Sequence, residues 1–215
     1  MTAVDAGTVV IVFARAPAPG AVKTRLIPLL GPERAAALHA RLVERALETA
    51  HDAGFSRIEL HGTPGVADPF FSACAGRAGA ALVAQTGDDL GARMRSAFES
   101  AVARHPRVLL VGSDCPALTA DHLRQADRVL RDGVDAVFVP CEDGGYALIG
   151  LRRVEPRLFE DVAWGGAAVM AQTRARLTGL GWRWRELEML WDVDRPEDYQ
   201  RLVESGLLAV RRAAV

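Results

Sequence analysis

The sequence has few cysteines and no excess of charge of either sign. Its 215 residues include three cysteines, Cys74, Cys115 and Cys141, and none of them forms a CxxC pair. This odd, scattered set argues against a disulfide framework and against a structural zinc site. The formal net charge is -1, so no overall basic field exists to attract nucleic acid or an anionic membrane. We therefore expect neither a nucleic acid nor a membrane among the partners.

Long apolar runs and internal repeats are also missing. Residues 1–7 are small and polar, without the basic segment that begins a signal peptide, and the aliphatic run at residues 9–14 is too short to span a bilayer. With 50% hydrophobic and 25% charged residues, the chain is long enough for one sizeable core and short for two. We expect one cytoplasmic domain over residues 1–215, with its core at about residues 8–205.

Aliphatic runs alternate with segments of helical periodicity. Strands are predicted at residues 8–14, 58–60, 81–84, 108–111, 135–140, 146–150 and 182–187. Helices are predicted at residues 32–53, 120–131 and 167–177. This alternation is typical of an α/β fold with a mainly parallel sheet. Ligands of such sheets bind outside the carboxyl ends of the strands, so polar residues just beyond a predicted strand are the candidates for a site.

The loop after the first predicted strand carries three cations, Arg15, Lys23 and Arg25. Gly20 allows the backbone to approach a ligand and prolines such as Pro19 restrict the loop, while the cations supply charge and donors for a polyphosphate. The loop is not a Walker A motif, because it lacks adjacent Gly-Lys-Thr and the first glycine of that motif. A phosphate-binding loop and a solvated basic loop remain the two interpretations.

The stretch VLLVGSDCPALT at residues 108–119 delivers a carboxylate just past the end of a buried strand. Asp114 follows the small residues Gly112 and Ser113, and Thr119 is placed to cap the next helix. We interpret Asp114 as a ligand of a divalent cation that also contacts the phosphates of a nucleotide, and Ser113 as a nucleotide contact. The alternative is that Asp114 only forms the turn or caps a helix.

Another polar loop, at residues 85–94, follows the predicted strand at 81–84. Gln85 could contact a base edge and Arg93 a phosphate. Asp88 or Asp89 could instead serve only as the cap of the helix that follows.

Further acids follow the later strands. Asp143 lies in the cluster EDGGY and is interpreted as a carboxylate facing the site, or with Gly144 as part of a hairpin turn. Asp194 fits the N-cap of a helix that begins at Pro196, whereas Asp192 has no evident structural reason to be there.

Cations for phosphates, together with carboxylates for a hard metal, are what a nucleotide diphosphate site requires. Mg2+ or Mn2+ prefers oxygen ligands and bridges phosphate oxygens, so one of these ions is the expected cofactor. The cysteines Cys115 and Cys141 follow strand ends next to prolines, but no histidine is tied to them by sequence, and inert buried thiols are favoured.

Five segments resemble the motifs of one bacterial family. They are FARAPAPGAVKTRL, QTGDDLGARM, GSDCPALT, PCEDGGYALIGL and WDVDRPEDY, in order over residues 9–199. They resemble those of the GT-A-like nucleotide-diphospho-sugar transferases, often labelled as glycosyltransferases of arsenosugar biosynthesis or of radical-SAM gene neighbourhoods. A more distant similarity links the chain to phospholactate and molybdenum-cofactor guanylyltransferases. The resemblance implies a single-domain, GT-A-like (Rossmann-like) three-layer sandwich around a mainly parallel sheet.

The resemblance also implies roles for particular residues. It places Arg15, Lys23 and Arg25 in the phosphate-binding loop, and Gln85 with Gly87 in the loop that contacts the base. It places the metal-binding aspartate at Asp114, an acid of the site at Asp143, and the closing DxD pair at Asp192 and Asp194. Asp114, Asp192 and Asp194 are accordingly the predicted metal ligands, and Pro19 and Gly20 complete the predicted nucleotide contacts.

Two departures from the family pattern concern the acceptor. The chain has Ala147 where the family usually has a second aromatic residue, and Gly165 with Gly166 where it has a serine or threonine after Trp164. Both segments are expected to border the acceptor, so the identity of the acceptor is what these departures affect.

Three functions fit these residues. In glycosyl transfer, which we favour, a small-molecule acceptor attacks the sugar of a nucleoside-diphosphate sugar, Lys23 or Arg25 stabilises the leaving diphosphate, and Asp143 is the general base of an inverting reaction. In nucleotidyl transfer, a phosphorylated small molecule attacks a nucleoside triphosphate and pyrophosphate leaves. The third function is a nucleotide-binding module without catalysis.

Two further expectations concern the whole molecule. Apolar residues near the C-terminus could form the contact surface of a homodimer: Trp182, Trp184, Leu207 and Leu208. Replacing Asp114 by Asn is expected to weaken metal-dependent nucleotide binding while relieving repulsion between acids in the unliganded protein.

Overall fold

A seven-stranded sheet forms the centre of the computed structural model, which describes residues 7–208. The strands are β1 (Thr8–Arg15), β2 (Ile58–Thr63), β3 (Ala81–Ala84), β4 (Arg107–Val111), β5 (Ala136–Pro140), β6 (Tyr146–Leu151) and β7 (Trp184–Glu186). Their order in the sheet is β3-β2-β1-β4-β6-β5-β7. Only β6 among these strands runs antiparallel, to both β4 and β5, so the prediction of a mainly parallel sheet is confirmed.

The antiparallel strand follows from the length of one turn. Residues 141–145 connect β5 directly to β6, whereas a parallel crossover needs a dozen or more residues. The backbone of this turn is closed by Gly144 N donating to Cys141 O over 3.0 Å and by Cys141 N donating to Gly145 O over 3.0 Å. The hairpin interpretation of Asp143 and Gly144 is therefore confirmed.

Helices cover both faces of the sheet. They are α1 (Ile27–Leu30), α2 (Pro32–Asp52), α3 (Pro69–Ala78), α4 (Leu90–Val102), α5 (Ala120–Arg131), α6 (Val169–Gly179) and α7 (Pro196–Ser205). Helices α2, α3 and α5 share one core with alternate residues of β1, such as Val10 and Val12. Helices α4 and α6 share the other core with the intervening residues, such as Val9 and Ile11. This is the predicted three-layer sandwich.

The predicted bounds need small corrections. Helix α6 begins at Val169 rather than at residue 167, because Gly165 and Gly166 extend the preceding loop. Strand β7 is confined to Trp184–Glu186, half of the predicted segment at 182–187. Strand β1 continues one residue beyond its predicted end, to Arg15.

The C-terminal apolar residues do not form the expected contact surface. Trp182 is buried against α6, and Trp184 packs against the same core. Leu207 and Leu208 are half-buried beside Leu26 and α2. The homodimer therefore stays a prediction. The cytoplasmic location also stays a prediction, because it was argued in part from the N-terminal residues, and residues 1–6 lie outside the described part of the chain.

Helices long and apolar enough to cross a bilayer are absent from residues 7–208.

The motifs meet at one edge of the sheet. The parallel strands β1, β3, β4 and β5 end there, and the antiparallel strand β6 begins there at Tyr146. The chain fills one side of the sheet with β2 and β3 and then crosses to β4, so the strand order reverses between β1 and β4. A crevice at such a reversal is where open α/β sheets bind ligands, and the first loop and the Asp114 turn flank it.

A test of the core concerns Gly150 in β6. A Cβ at Gly150 would lie 2.6 Å from Val137 Cγ1 and 2.7 Å from Leu109 Cδ2, so Gly150→Ala overpacks the centre of the sheet. We expect a loss of about 1–3 kcal/mol in the free energy of unfolding, measured by urea denaturation. The matched control is Gly76→Ala in α3, where nothing lies within 4 Å, and which should be neutral or stabilising by up to about 1 kcal/mol. Equal effects of the two substitutions would contradict this packing.

Candidate functional site

Lys23 joins three of the sequence motifs at the crevice. Its Nζ lies 2.5 Å from Asp114 Oδ1 and donates to the carbonyl of Val193 over 2.6 Å. The Val193 N–H donates in turn to the carbonyl of Asp114 over 2.9 Å. The Lys23 side chain is only 4% exposed, although it belongs to a loop that was expected to be solvated or to hold a phosphate. The first loop, the Asp114 turn and the closing acidic segment are thus fixed to one another.

His39 of α2 is a neighbour of Asp114 that sequence reasoning missed. Its Nε2 lies 3.0 Å from the carbonyl of Arg15, and its Nδ1 lies 3.9 Å from Asp114 Oδ1. A carbonyl only accepts, so Nε2 carries the proton of this bond. Burial lowers the pKa of His39, and this effect outweighs the Asp114 charge, which raises the pKa. The signal was a histidine on the face of the predicted helix that also carries Leu42 and Val43.

Asp114 is ionised despite its position. Desolvation raises its pKa, but the charge and hydrogen bond of Lys23, with His39 and Arg15 nearby, more than offset this, and the pKa lies below its usual range. Its side chain is 53% exposed, so one face of the carboxylate remains open toward the crevice. A carboxylate held in this way is available for a second cation.

Three predicted acids line one cavity of about 280 Å³ at this edge. They are Asp114, Asp143 and Asp192, which we call the acidic lining. Asp143 accepts a hydrogen bond from Gly145 N over 2.8 Å, which orients its carboxylate. Desolvation, followed by the charges of Asp143 and Asp114, raises the pKa of Asp192 to about 6. The acids therefore repel one another in the unliganded protein, and the site favours an added cation.

The remainder of the cavity is largely apolar. We call six of its apolar side chains the apolar lining: Phe13, Leu90, Met94, Tyr146, Trp164 and Val169. None of the described residues that line the cavity is a lysine or an arginine. Ala147, Gly165 and Gly166, the positions that depart from the family pattern, also line it.

Cys115 and Cys141 lie at this cavity as well. Hydrogen bonding to Cys115, burial, and the nearby acids raise the pKa of Cys141. A thiol whose pKa is raised is a poor nucleophile, which agrees with the prediction of an inert buried thiol at Cys141. Cys115 is only partly buried, and its inertness stays a prediction.

The loop after β3 is held by the groups that were predicted to bind nucleotide. Gln85 Nε2 donates to the carbonyls of His61 over 2.8 Å and Ala14 over 3.2 Å, and Arg93 Nε donates to the carbonyl of Gly87 over 2.9 Å. The capping alternative for Asp89 is confirmed, since its carboxylate accepts from Ala92 N over 2.8 Å. None of Gln85, Gly87 and Arg93 lines the cavity of the acids, and their contact with a nucleotide stays a prediction.

Asp194 is not brought to the same cavity as the other two predicted metal ligands. Its carboxylate pairs with Arg25 and lines a neighbouring pocket, which shares Asp143 and Asp192 with the cavity. The expectation that Asp194 caps the last helix is wrong, because the N-cap of α7 is Arg195, whose N–H donates to Asp198.

The other predicted nucleotide contacts surround the crevice without lining the cavity. Arg15 is exposed at the end of β1, Pro19 and Gly20 are exposed in the loop that follows, and Ser113 is buried beside Asp114.

The donor set fits a divalent cation only in part. Within residues 7–208, no three His, Cys, Asp or Glu side chains are arranged to hold a metal by themselves. Mg2+ commonly uses one or two carboxylates and completes its coordination with water and phosphate oxygens. The mutually repelling Asp114 and Asp192 match that pattern, whereas a closed protein cage for a metal is not present in the described part of the chain.

Comparison with known proteins gives one family match. The family model described as "Uncharacterized protein conserved in bacteria (DUF2064)" matches residues 37–166. None of the curated proteins matches the chain at a significant level.

Several solved structures are similar to the chain. One is a provisionally named nucleotide-diphospho-sugar transferase from Desulfovibrio desulfuricans G20, with 29% identity and a TM-score of 0.85 over 98% of this chain and 92% of that one. Another is a nucleotidyl transferase from Methanothermobacter thermautotroptrophicus, with 15% identity and a TM-score of 0.65 over 96% of this chain and 100% of that one.

A third similar structure is glucosyl-3-phosphoglycerate synthase from Mycobacterium tuberculosis, in complex with Mn2+, UDP and glucosyl-3-phosphoglycerate. It has 13% identity and a TM-score of 0.54 over 94% of this chain and 78% of that one. These findings confirm the predicted resemblance and the α/β fold class. The similar structures are themselves named as transferases.

A pair of substitutions separates the roles of two acids. Asp192→Asn removes a carboxylate whose pKa is raised from 3.8 to about 6, and should stabilise the metal-free protein by about 1–3 kcal/mol at pH 8. Asp114→Asn leaves the buried Lys23 ammonium without its ion pair and should instead destabilise, by less than the about 3–5 kcal/mol typical of a fully buried pair, because Asp114 is 53% exposed. The second effect reverses the relief of repulsion that the sequence suggested.

The pH dependence gives the control for this pair. A raised carboxyl pKa means that the native state holds the extra proton, so the contribution of Asp192 to stability falls as pH rises from about 4 to 6. The advantage of Asp192→Asn should therefore vanish below pH 4 and be complete above pH 6, by urea unfolding with a chelator present. A loss of stability in Asp192→Asn at pH 8 would contradict the assignment of repulsion.

Proposed function

This chain belongs to the family described as "Uncharacterized protein conserved in bacteria (DUF2064)", and from that premise we propose that it transfers a sugar from a nucleoside-diphosphate sugar to a hydroxyl group of a small-molecule acceptor. The observation that carries the proposal is the division of charge at the crevice. Carboxylates and apolar side chains line the cavity, while the cations lie outside its lining, Arg15 at the end of β1 and Lys23 and Arg25 in the loop that follows. This division would let a diphosphate lie between the loop and the acidic lining while an uncharged reacting group packs on the apolar side chains.

The donor is proposed to bind together with Mg2+ or Mn2+. Asp114 and Asp192 would hold the cation, with the phosphates of the donor supplying further oxygen ligands. When bound, such a cation neutralises charge that develops on the departing diphosphate. Asp194 remains a third candidate ligand only if its ion pair with Arg25 opens.

Lys23 is proposed to stabilise the leaving group from a fixed position. Its ammonium is already desolvated and held by Asp114 and the Val193 carbonyl, so little reorganisation is needed as negative charge develops nearby. Arg25 would add a second cation from the same loop. Pro19, Gly20, Gln85, Gly87, Arg93 and Ser113 complete the proposed nucleotide contacts.

Asp143 is the proposed general base of an inverting reaction. Its exposed carboxylate lines the cavity and is oriented by Gly145 N. In this role it accepts the proton of the acceptor hydroxyl as the hydroxyl oxygen attacks the sugar.

Nucleotidyl transfer is the second candidate. The cations of the first loop favour it, because they could neutralise the β- and γ-phosphates of a nucleoside triphosphate. The structure offers less to its acceptor, since a phosphorylated molecule in the cavity would face carboxylates with no lysine or arginine in the lining.

Thermal shift separates the two reactions. Nucleoside-diphosphate sugars and nucleoside triphosphates would be compared with and without Mn2+, because a ligand of the native state raises the melting temperature. We expect a Mn2+-dependent rise with at least one sugar nucleotide and a smaller rise with the matching triphosphate.

Asp192→Asn is the variant of choice for this panel, since Asp114→Asn also disturbs Lys23. The Mn2+-dependent part of the shift should disappear in Asp192→Asn, while Gly76→Ala should behave as wild type. A preference for triphosphates would favour nucleotidyl transfer, and no shift with any nucleotide would sink both reactions.

A further inference from the structure

The cavity at the acidic lining has a chemical character that limits what the acceptor can be. Resting on the proposed function, we propose that the acceptor is an uncharged hydroxyl compound with a compact apolar or aromatic group, and that this group packs on the apolar lining. The proposal concerns the acceptor alone and assigns it a chemical class.

The cavity is lined by negative charge. Asp114, Asp143 and Asp192 border the cavity, and its described lining contains no lysine or arginine. Lys23 neutralises part of the charge of Asp114, but its side chain is 4% exposed and does not line the cavity. With the donor's cation held by Asp114 and Asp192, the open carboxylate of Asp143 would still repel an anionic acceptor, which would find no lysine or arginine in the described lining. An uncharged acceptor avoids this cost.

The cavity also has apolar surface that the protein leaves open. Leu90, at the start of α4, is 42% exposed, and Trp164 and Tyr146 are half-buried. Burial raises the pKa of Tyr146, so its phenol is neutral and adds no charge to the cavity. Covering apolar area contributes about 25 cal/mol per Å², so an apolar group gains affinity here where a polyol does not.

The aromatic side chains of the apolar lining are fixed by their neighbours. Trp164 packs on Gly91 so closely that a Cβ there would lie 2.5 Å from its Nε1. The rings of Tyr146 and Trp164 meet edge to face, with centroids 6.5 Å apart and an interplanar angle of 88°. Phe13 stacks on His61, with centroids 5.6 Å apart. Preformed aromatic surfaces lose little entropy when a ligand binds.

The size of the cavity also limits the acceptor. Ala147, Gly165 and Gly166 line the cavity at positions where larger or polar side chains were expected from the family pattern. Their small side chains leave a volume of about 280 Å³, near the lower end of the range for small-molecule sites. The cavity therefore suits a group of one ring or a short branched chain.

The transfer step is balanced with such an acceptor. The acceptor hydroxyl gives its proton to Asp143 and its oxygen forms a bond to the anomeric carbon of the donor sugar. The bond between that carbon and the diphosphate oxygen breaks, and its electron pair leaves on the nucleoside diphosphate. No oxidant, reductant or further reactant is needed.

Three probes test the class of acceptor by binding alone. We would measure the dissociation constants of 2-phenylethanol, phenylacetate and glycerol by ligand-observed NMR at pH 7.5. We expect 2-phenylethanol to bind at least about 10-fold more tightly than either of the other compounds. Phenylacetate carries a negative charge, and glycerol lacks the apolar group. Phenylacetate binding as tightly as 2-phenylethanol would overturn the proposal.

A charge introduced into the lining provides the variant. Leu90→Arg should weaken the binding of 2-phenylethanol about 5-fold, because it removes apolar surface. It should strengthen the binding of phenylacetate, because it supplies the missing cation. Val203→Arg is the matched control, since Val203 is 61% exposed on α7 and does not line the cavity. Identical behaviour of the two variants would place the probe elsewhere and would also overturn the proposal.

Two readouts keep this inference separate from the proposed function. Displacement of 2-phenylethanol by uridine or guanosine would show that the cavity holds a nucleobase, which contradicts the inference and leaves the donor intact. A missing thermal shift with every nucleotide, alongside preferred binding of 2-phenylethanol, would contradict the proposed function alone.

Discussion

The ion pair between Lys23 and Asp114 is the interaction on which the site depends. A lysine side chain that is 4% exposed needs partners, and it finds them in the Asp114 carboxylate and the Val193 carbonyl. These contacts fix the loop after β1, the turn after β4 and the closing segment relative to one another. Lys23 itself adopts a left-handed backbone conformation, with φ of 48°, and the surrounding contacts hold it there. The cost of burying its charge is offset only while Asp114 is ionised.

That arrangement divides the sheet edge into two chemical environments. The first loop carries one fixed cation, Lys23, and one exposed cation, Arg25, which the proposed function assigns to a diphosphate. In the cavity, three carboxylates crowd together with aromatic and aliphatic side chains, and the pKa of Asp192 rises to about 6 as a result. Repulsion among the acids is a stability cost in the unliganded protein that a bound cation would remove, which links stability to function at this site.

Much of this arrangement was predictable, because residues that follow parallel strands share one edge of a sheet. This rule brought Asp114 and Asp143 together in the prediction, and the structure places both at one cavity. The burial of Lys23 was not predictable, since a cation in a proline-rich loop is ordinarily solvated. The exclusion of Asp194 from the cavity of the acidic lining also needed the structure, because the pairing of Asp194 with Arg25 joins residues that are distant in sequence.

Other differences arise from contacts that periodicity does not reveal. His39 occupies a core-facing position that a leucine could equally have filled, and only the fold shows Arg15 and Asp114 beside it. Gln85 and Arg93 have the chemistry to bind a nucleotide, yet they donate to the carbonyls of their own and neighbouring strands and loops. The apolar lining assembles from β1, α4, β6, the loop before α6 and the first residue of α6, so no single stretch of sequence displays it.

The central claim is that the protein supplies part of a cation site and that a nucleotide completes it. Titration of Mn2+ followed by electron paramagnetic resonance, with and without a nucleoside diphosphate, tests this claim directly. The account predicts weak binding of Mn2+ alone and binding at least about 10-fold tighter with the nucleotide, since phosphate oxygens add to the two carboxylates. Tight binding of Mn2+ without nucleotide, or no change when nucleotide is added, would contradict it.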